Sequence, residues 1–392
     1  MNTKVESPLF LHNRIPAGTG SLLGLSWLHF LNDGAANFLP GILPAVLLAL
    51  HQNVAMAAAI MSALLIGQSM QPLMGWLADR QGGRTMILLG VAGTNIGVAL
   101  VGWISQLWAL FPVLFLIGLS NAAFHPQAMS GARTLARLRH GTVISVFMVG
   151  GELGRGLWPL LASLVVMHWG MASLWILALA ALATVPFIVW VLPKQAPRHA
   201  MAPPIAWRRH WRPASLLVGY VSMRSLLLYS LITYLPILWH DRGGTLVGGA
   251  ALVSVLLVVG VLGNLGGGMV ADHFGRKLAL VGSSSLVLLL VILCLLCSSW
   301  WIWPVLGLLG IAIYSAQPVT VLIGQDIFPE NRGLGSGIAL GVGNGLGALF
   351  LLAIGIAVTR FGVNSALWLL IVIAIISLFF ATRVLAEMHI TH

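Results

Sequence analysis

Twelve apolar stretches follow one another along this chain, each long enough to cross a lipid bilayer as a helix. They run roughly over residues 20–49, 54–78, 85–105, 107–134, 141–167, 170–192, 213–239, 246–271, 278–298, 300–325, 333–358 and 362–385. About 20 helical residues cross the hydrocarbon core, where every backbone N–H and C=O must find a partner within the protein. Strands of a membrane barrel would alternate polar and apolar residues over about ten positions, and no stretch here does so. Charged residues make up only 7% of the chain and hydrophobic ones 59%. A soluble domain carries about 25% charged residues, so the bilayer must be the main solvent. The chain reads as an all-α membrane protein with twelve transmembrane helices.

The net charge of +11 would point to nucleic acid in a soluble protein, but its placement excludes that reading. Sixteen of the 20 Lys and Arg residues fall at the termini or in the loops after even-numbered spans. Only Arg242 and Arg360 fall in loops on the other side, and Arg155 and Arg224 lie inside spans. Positive residues mark the cytoplasmic side. Both termini are therefore expected in the cytoplasm of a multi-pass protein of the inner or plasma membrane, with anionic lipid headgroups as partners. Residues 1–19 form a polar tail without the short apolar core of a signal peptide. Residues 193–212 form a basic, proline-bearing linker between a half over 20–192 and a half over 213–385, and residues 386–392 a second tail. Cys294 and Cys297 make a C-x-x-C inside an apolar span, where helix packing is a better reading than metal or redox chemistry.

A duplication underlies the two halves. GWLADRQGGR (Gly75 to Arg84) returns as GMVADHFGRK (Gly268 to Lys277), 193 residues later. His125-Pro126 answers Gln317-Pro318, and Gly151-Glu152 answers Gly343-Asn344, both 192 residues apart. A repeat at half the chain length sets the architecture before any local reading. The doubled G-x-L-A-D-R-x-G-R signature, the two six-helix halves and the central basic loop together resemble the major facilitator superfamily of transporters. GLSNAAFHPQA (Gly118 to Ala128), GGELGRGLWPLLA (Gly150 to Ala162) and LHFLNDGAANFLPGILP (Leu28 to Pro44) are similar to segments of fosmidomycin-resistance-type exporters. That group has uncharged residues where this chain carries Glu152 and Arg155. The resemblance implies that the two signatures act as a latch in the outward-open state, formed by Gly75, Asp79, Arg80, Gly82 and Arg84 and by Gly268, Asp272, Gly275, Arg276 and Lys277. In physical terms, Gly75 and Gly268 would allow close helix approach. Asp79 and Asp272 would meet a neighbouring helix N-terminus, and Gly82 and Gly275 would let the chain turn. A merely solvated turn is the alternative.

Of the nine acidic residues, Asp33 and Glu152 alone fall near the middle of spans. Arg224 lies at similar depth in the seventh span, and Arg155 follows Glu152 by three positions on one helical face. An ionisable side chain at the bilayer centre costs at least about 2.5–3.5 kcal/mol, so such groups are expected to serve a polar cavity. His29, Asp33 and Asn37 form one stripe on the first span, which makes Asp33 the first candidate for proton coupling, with His29 and Glu152. A structural cluster around kinks at Pro40 and Pro44 is the other reading. Glu152 and Arg155 either neutralise each other locally, or Glu152 titrates while Arg155 holds a substrate anion in its planar fork. Arg224 has no acid in its own span and is expected to reach Asp33, Glu152 or a substrate anion. His125 reads as a kink beside Pro126 or as a site residue. Asn37, Gln68, Gln317 and Asn344 complete the expected substrate lining.

These readings converge on a monomeric secondary transporter that exchanges protons for a small polar or anionic molecule by alternating access. An importer using proton symport and a non-transporting sensor on the same fold are the alternatives. No cofactor or metal is expected. The chain has no phosphate-binding loop, no metal-ligand cluster in its sequence and no soluble domain for a nucleotide, so an enzyme is not expected.

Overall fold

The computed structural model describes residues 19–81, 83–135, 140–188, 192, 207–297 and 299–390. Among them there is no strand. Ten segments are helices long and apolar enough to cross a membrane. The two remaining passages are the first, which is broken, and the fifth, whose apolar run is interrupted by Glu152 and Arg155. The linker residues 193–206 and Gly82 lie outside the described residues, as do the side chains of Asp79 and Arg80.

The first passage is α1 (Thr19–Ala36) and α2 (Leu39–Ala49) rather than one continuous helix. Pro40 lies at the start of α2, where a missing N–H costs nothing. The turn ahead of it tightens, so the Asn37 N–H bonds the Gly34 carbonyl at 2.9 Å. That leaves the Asp33 carbonyl without its backbone donor, and the Asn37 side-chain amide takes it at 2.8 Å. The second passage is likewise interrupted, as α3 (Met56–Ser69) and α4 (Gln71–Gln81), just ahead of Pro72. Pro72 has no N–H to give the Gln68 carbonyl, and the turn at Met70 tightens, its N–H bonding the Gly67 carbonyl at 3.1 Å.

Three unbroken helices follow, α5 (Gly83–Val101), α6 (Leu107–Leu135) and α7 (His140–Trp169). The sixth passage opens as a 3₁₀ segment, Met171–Ala178, and continues as α8 (Leu179–Ile188). The second half holds α9 (Trp207–Asp241), α10 (Leu246–Phe274), α11 (Arg276–Leu296) and α12 (Ile302–Ile327). Its eleventh passage is α13 (Arg332–Gly337), a π-helical turn at Ile338–Val342 and α14 (Gly343–Leu367); α15 (Leu369–Ile390) is the twelfth. The boundary expected near residue 362 falls at Gly362, whose φ of +78° breaks the helical path. Only glycine adopts that backbone without strain.

The packing repeats the duplication. α1 lies on α7 as α9 lies on α14, α3 on α6 as α10 on α12, and α5 on α6 as α11 on α12. The halves meet where α7 packs on α10, α3 on α14, and α2 on α9 and α10. Small residues make this closeness possible: Gly355 of α14 sits on Ala58 of α3, and Gly156 of α7 on Val258 of α10. The Ser62 hydroxyl, buried on α3, donates to the Ala348 carbonyl of α14 at 2.7 Å.

Candidate functional site

Asp33 is completely buried, and five side chains converge on its carboxylate. Arg155 donates to Oδ2 at 2.9 Å, and the Nε2 atom of His29 lies 3.4 Å from the same oxygen. On Oδ1, Asn121 donates at 3.0 Å and Asn32 at 3.2 Å, and the Nε2 atom of His125 stands 3.3 Å away. Three helices supply this shell. α1 brings His29, Asn32 and Asp33, α6 brings Asn121 and His125 one turn apart, and α7 brings Arg155. The α1–α7 contact is close because Gly151 leaves room for the His29 ring and Gly154 for the Phe30 backbone. The Nδ1 atom of His29 is fixed against the Phe147 carbonyl at 2.8 Å.

Arg155 spans two carboxylates. Its second arm reaches Oε1 and Oε2 of Glu152 at 3.3 and 3.2 Å. Asn264 of α10 donates to Glu152 Oε1 at 3.2 Å, which joins the cluster to the other half. Thr94 of α5 supports the far side through Asn32 at 3.4 Å. The Arg155 and His125 side chains keep 23% and 22% exposure, whereas Asp33 keeps 1%. Solvent therefore meets the two basic groups before the acid, and His125 Nδ1 is buried without a hydrogen-bond partner among the described residues.

Sequence reasoning joined His29 to Asp33 and Glu152 to Arg155 because each pair shares a helical face. The structure unites the two pairs and places His125, read either as a kink beside Pro126 or as a site residue, against the same carboxylate. Asn32, Thr94, Asn121 and Asn264 were not anticipated. Asn121 had a signal, one turn before His125, while Asn264 has only Gly and Val one turn away on its helix and only the tertiary fold reveals it. Asn37 and Gln68 sit differently from the expected substrate lining. Asn37 bonds the Asp33 carbonyl, and Gln68 bonds the Ala36 carbonyl at 2.8 Å, so both satisfy backbone freed by the helix break. Asn344 does the same at the π turn, donating to Leu340 O at 2.6 Å while its Oδ1 accepts from Ser225. Gln317 is half-buried on α12.

Arg224 does not reach Asp33 or Glu152. It is 7% exposed and points into the second half, where it donates to the Ile313 carbonyl at 3.4 Å. The neighbouring Ser225 takes the face toward α14, and one residue along a helix turns the side chain by about 100°.

In the signatures, Gly75 packs against Pro126, where a Cβ would touch at 3.5 Å. Gly275 has φ +86° and ends α10, as a turn residue should. Gly268 departs from expectation, since a side chain there would meet nothing within 4 Å. The N-cap of α11 is Gly275, which offers no side-chain cap, and Asp272 and Lys277 are exposed. Arg276 pairs with Asp326 at the end of α12, within its own half. Arg84 is half-buried at the start of α5. The ligand atoms of His29, Asp33 and His125 lie within 4.8 Å of one another, a donor set suited to a divalent transition metal. Arg155 already holds that carboxylate, and its fixed positive charge opposes a metal ion there.

The family model of the Major Facilitator Superfamily matches residues 25–350. The chain belongs to the major facilitator superfamily. It is a multi-pass membrane transporter of that family. It is similar to the fosmidomycin resistance protein of Escherichia coli (strain K12), with 24% identity over 341 residues and 84% of each chain covered. It is also similar to the uncharacterized MFS-type transporter YfnC of Bacillus subtilis (strain 168), with 23% identity over 362 residues and 86% of each covered. Among solved structures, a mutant of the nucleoside transporter NupG superposes with a TM-score of 0.77 at 16% identity, covering 94% of this chain and 99% of that one. At this identity the likeness establishes the fold alone.

Proposed function

We propose that the chain is a proton-coupled exporter of a small polar or anionic compound, working by alternating access in the inner or plasma membrane with both termini cytoplasmic. The observation that carries this reading is the buried Asp33 carboxylate, shared by Arg155 and flanked by His29 and His125. A carboxylate buried in this way is costly and persists only with its partners in place. Protonating Asp33 breaks its pair with Arg155, so proton occupancy changes the charge of the whole cluster. Glu152 and Asn264 pass that change to α10 in the other half. The similarity to a fosmidomycin resistance protein supports the outward direction. The two signatures serve as the cytoplasmic latch, with Asp79→Asn expected to shift the balance of conformations rather than substrate contact.

The sign of coupling follows from which member of the pair the substrate meets. A substrate that donates hydrogen bonds to Asp33 competes with the proton, which gives exchange. An anion that takes Arg155 from Asp33 binds best when the proton is already there, which gives symport and import of an organic anion. Substrate affinity measured against pH separates the two. Affinity that weakens as the pH falls supports exchange, and affinity that strengthens supports the importer. A growth-inhibition panel of toxic compounds, fosmidomycin included, in a host expressing the protein identifies the substrate. Protection that survives Asp33→Asn unchanged would contradict the assignment.

A further inference from the structure

Arg224 sits on the wall of a small, partly enclosed cavity inside the second half. The space open to the centre of a water-sized sphere is about 10 Å³, and it is lined by Arg224, Tyr220, Ser284, Ser377, Val287 and Ala374 among others. These side chains come from α9, α11 and α15, and α12 closes the remaining side, so the cavity lies within one six-helix half. No carboxylate pairs with Arg224 among the described residues. Its Nε is buried without a partner among the described residues, and its Nη1 makes a long bond to the Ile313 carbonyl at 3.4 Å. A guanidinium so buried is stable only if something neutralises it. Tyr220 OH lies 3.2 Å from Ser284 Oγ, whose own proton goes to the Leu280 carbonyl at 2.7 Å, so Tyr220 and Ser377 are the hydroxyls on this wall with a proton to offer.

We infer that this cavity binds a single chloride-sized anion, held by Arg224 with the hydroxyls of Tyr220 and Ser377. Its size decides between ligands, since space of this order admits one particle of about water's dimensions and excludes an organic substrate. The anion supplies the charge that Arg224 lacks and so locks α9 against α11 and α15. It is a structural ligand of the second half, independent of the proton site on α1. The duplication shows how the site arose. Arg224 stands 192 residues after Asn32, a neutral residue that needs only Thr94 and Asp33 as partners. Placing a charge at the equivalent position created a need for a counterion.

The test is thermal unfolding of the purified protein in detergent, with sodium gluconate replaced by sodium chloride or bromide at constant ionic strength. The expected result is a saturable rise in the unfolding midpoint of about 2–4 °C for both halides. In Arg224→Gln this halide response is absent. Ala374→Leu, which fills the cavity and leaves the charge in place, also removes the response and covers the case in which the first variant does not fold. A bromide anomalous peak beside Arg224 would locate the ion. Equal midpoints in gluconate and halide, a response that survives both variants, or water alone in the cavity would overturn the inference.

Discussion

Arg155 donates to Glu152 and Asp33 at once, so removing it strands two buried carboxylates. Breaking such a pair costs about 3–5 kcal/mol, and Arg155→Gln is expected to lower the unfolding midpoint clearly. Arg155→Lys restores the charge but not the planar fork that reaches both acids. It should recover much of the stability and little of the proton-coupled transport. A midpoint unchanged in Arg155→Gln would show that the cluster does not depend on this bridge. The charged members of this site were legible in the sequence because charge inside a span is rare and expensive. The neutral members were not. Asn32, Thr94, Asn121 and Asn264 are ordinary polar residues whose importance depends on which helix faces them. Arg224 shows the converse limit, since depth in the bilayer was readable but the direction of the side chain was not.

Broken helices need local repair, and the first passage shows the cost. Asn37 and Gln68 each satisfy a carbonyl that the break near Pro40 leaves without a backbone donor. Losing either should destabilise the fold by about 1–3 kcal/mol, seen as a lower unfolding midpoint in Asn37→Ala and in Gln68→Leu. Neutral effects in both would mean that water replaces them. Gly151 sets the spacing of α1 and α7 through the His29 ring. Gly151→Val should therefore displace that ring and abolish proton coupling, with wild-type proton flux as the contrary result. The sequence indicated these helices and their order because apolar run length is a strong signal. It offered a kink near Pro40 only as an alternative reading, and it did not indicate the break at Met70 or the π turn at Ile338–Val342, which arise from proline, glycine and tertiary packing together.

At the scale of the molecule, the duplication in the sequence predicted the paired packing of the two halves, and the packing of α1 on α7 and α9 on α14 follows it. Alternating access requires the contacts between halves to open in turn. A disulfide between cysteines placed at Ala58 and Gly355, which touch across the halves, should stop transport and release it on reduction. Undiminished transport by the crosslinked protein would exclude rocking about that contact. Reporter fusions at Arg139, Pro197 and the C-terminus are expected to read cytoplasmic, and fusions near Gly243 external. An external signal at Pro197 would sink the orientation. The most direct test of the whole account is proton flux in proteoliposomes on adding a transported substrate, compared between wild type and Asp33→Asn. Wild type should move protons with substrate, and the variant should bind and exchange substrate without moving any. Normal proton flux in Asp33→Asn would contradict the central claim that Asp33 couples the proton to the substrate.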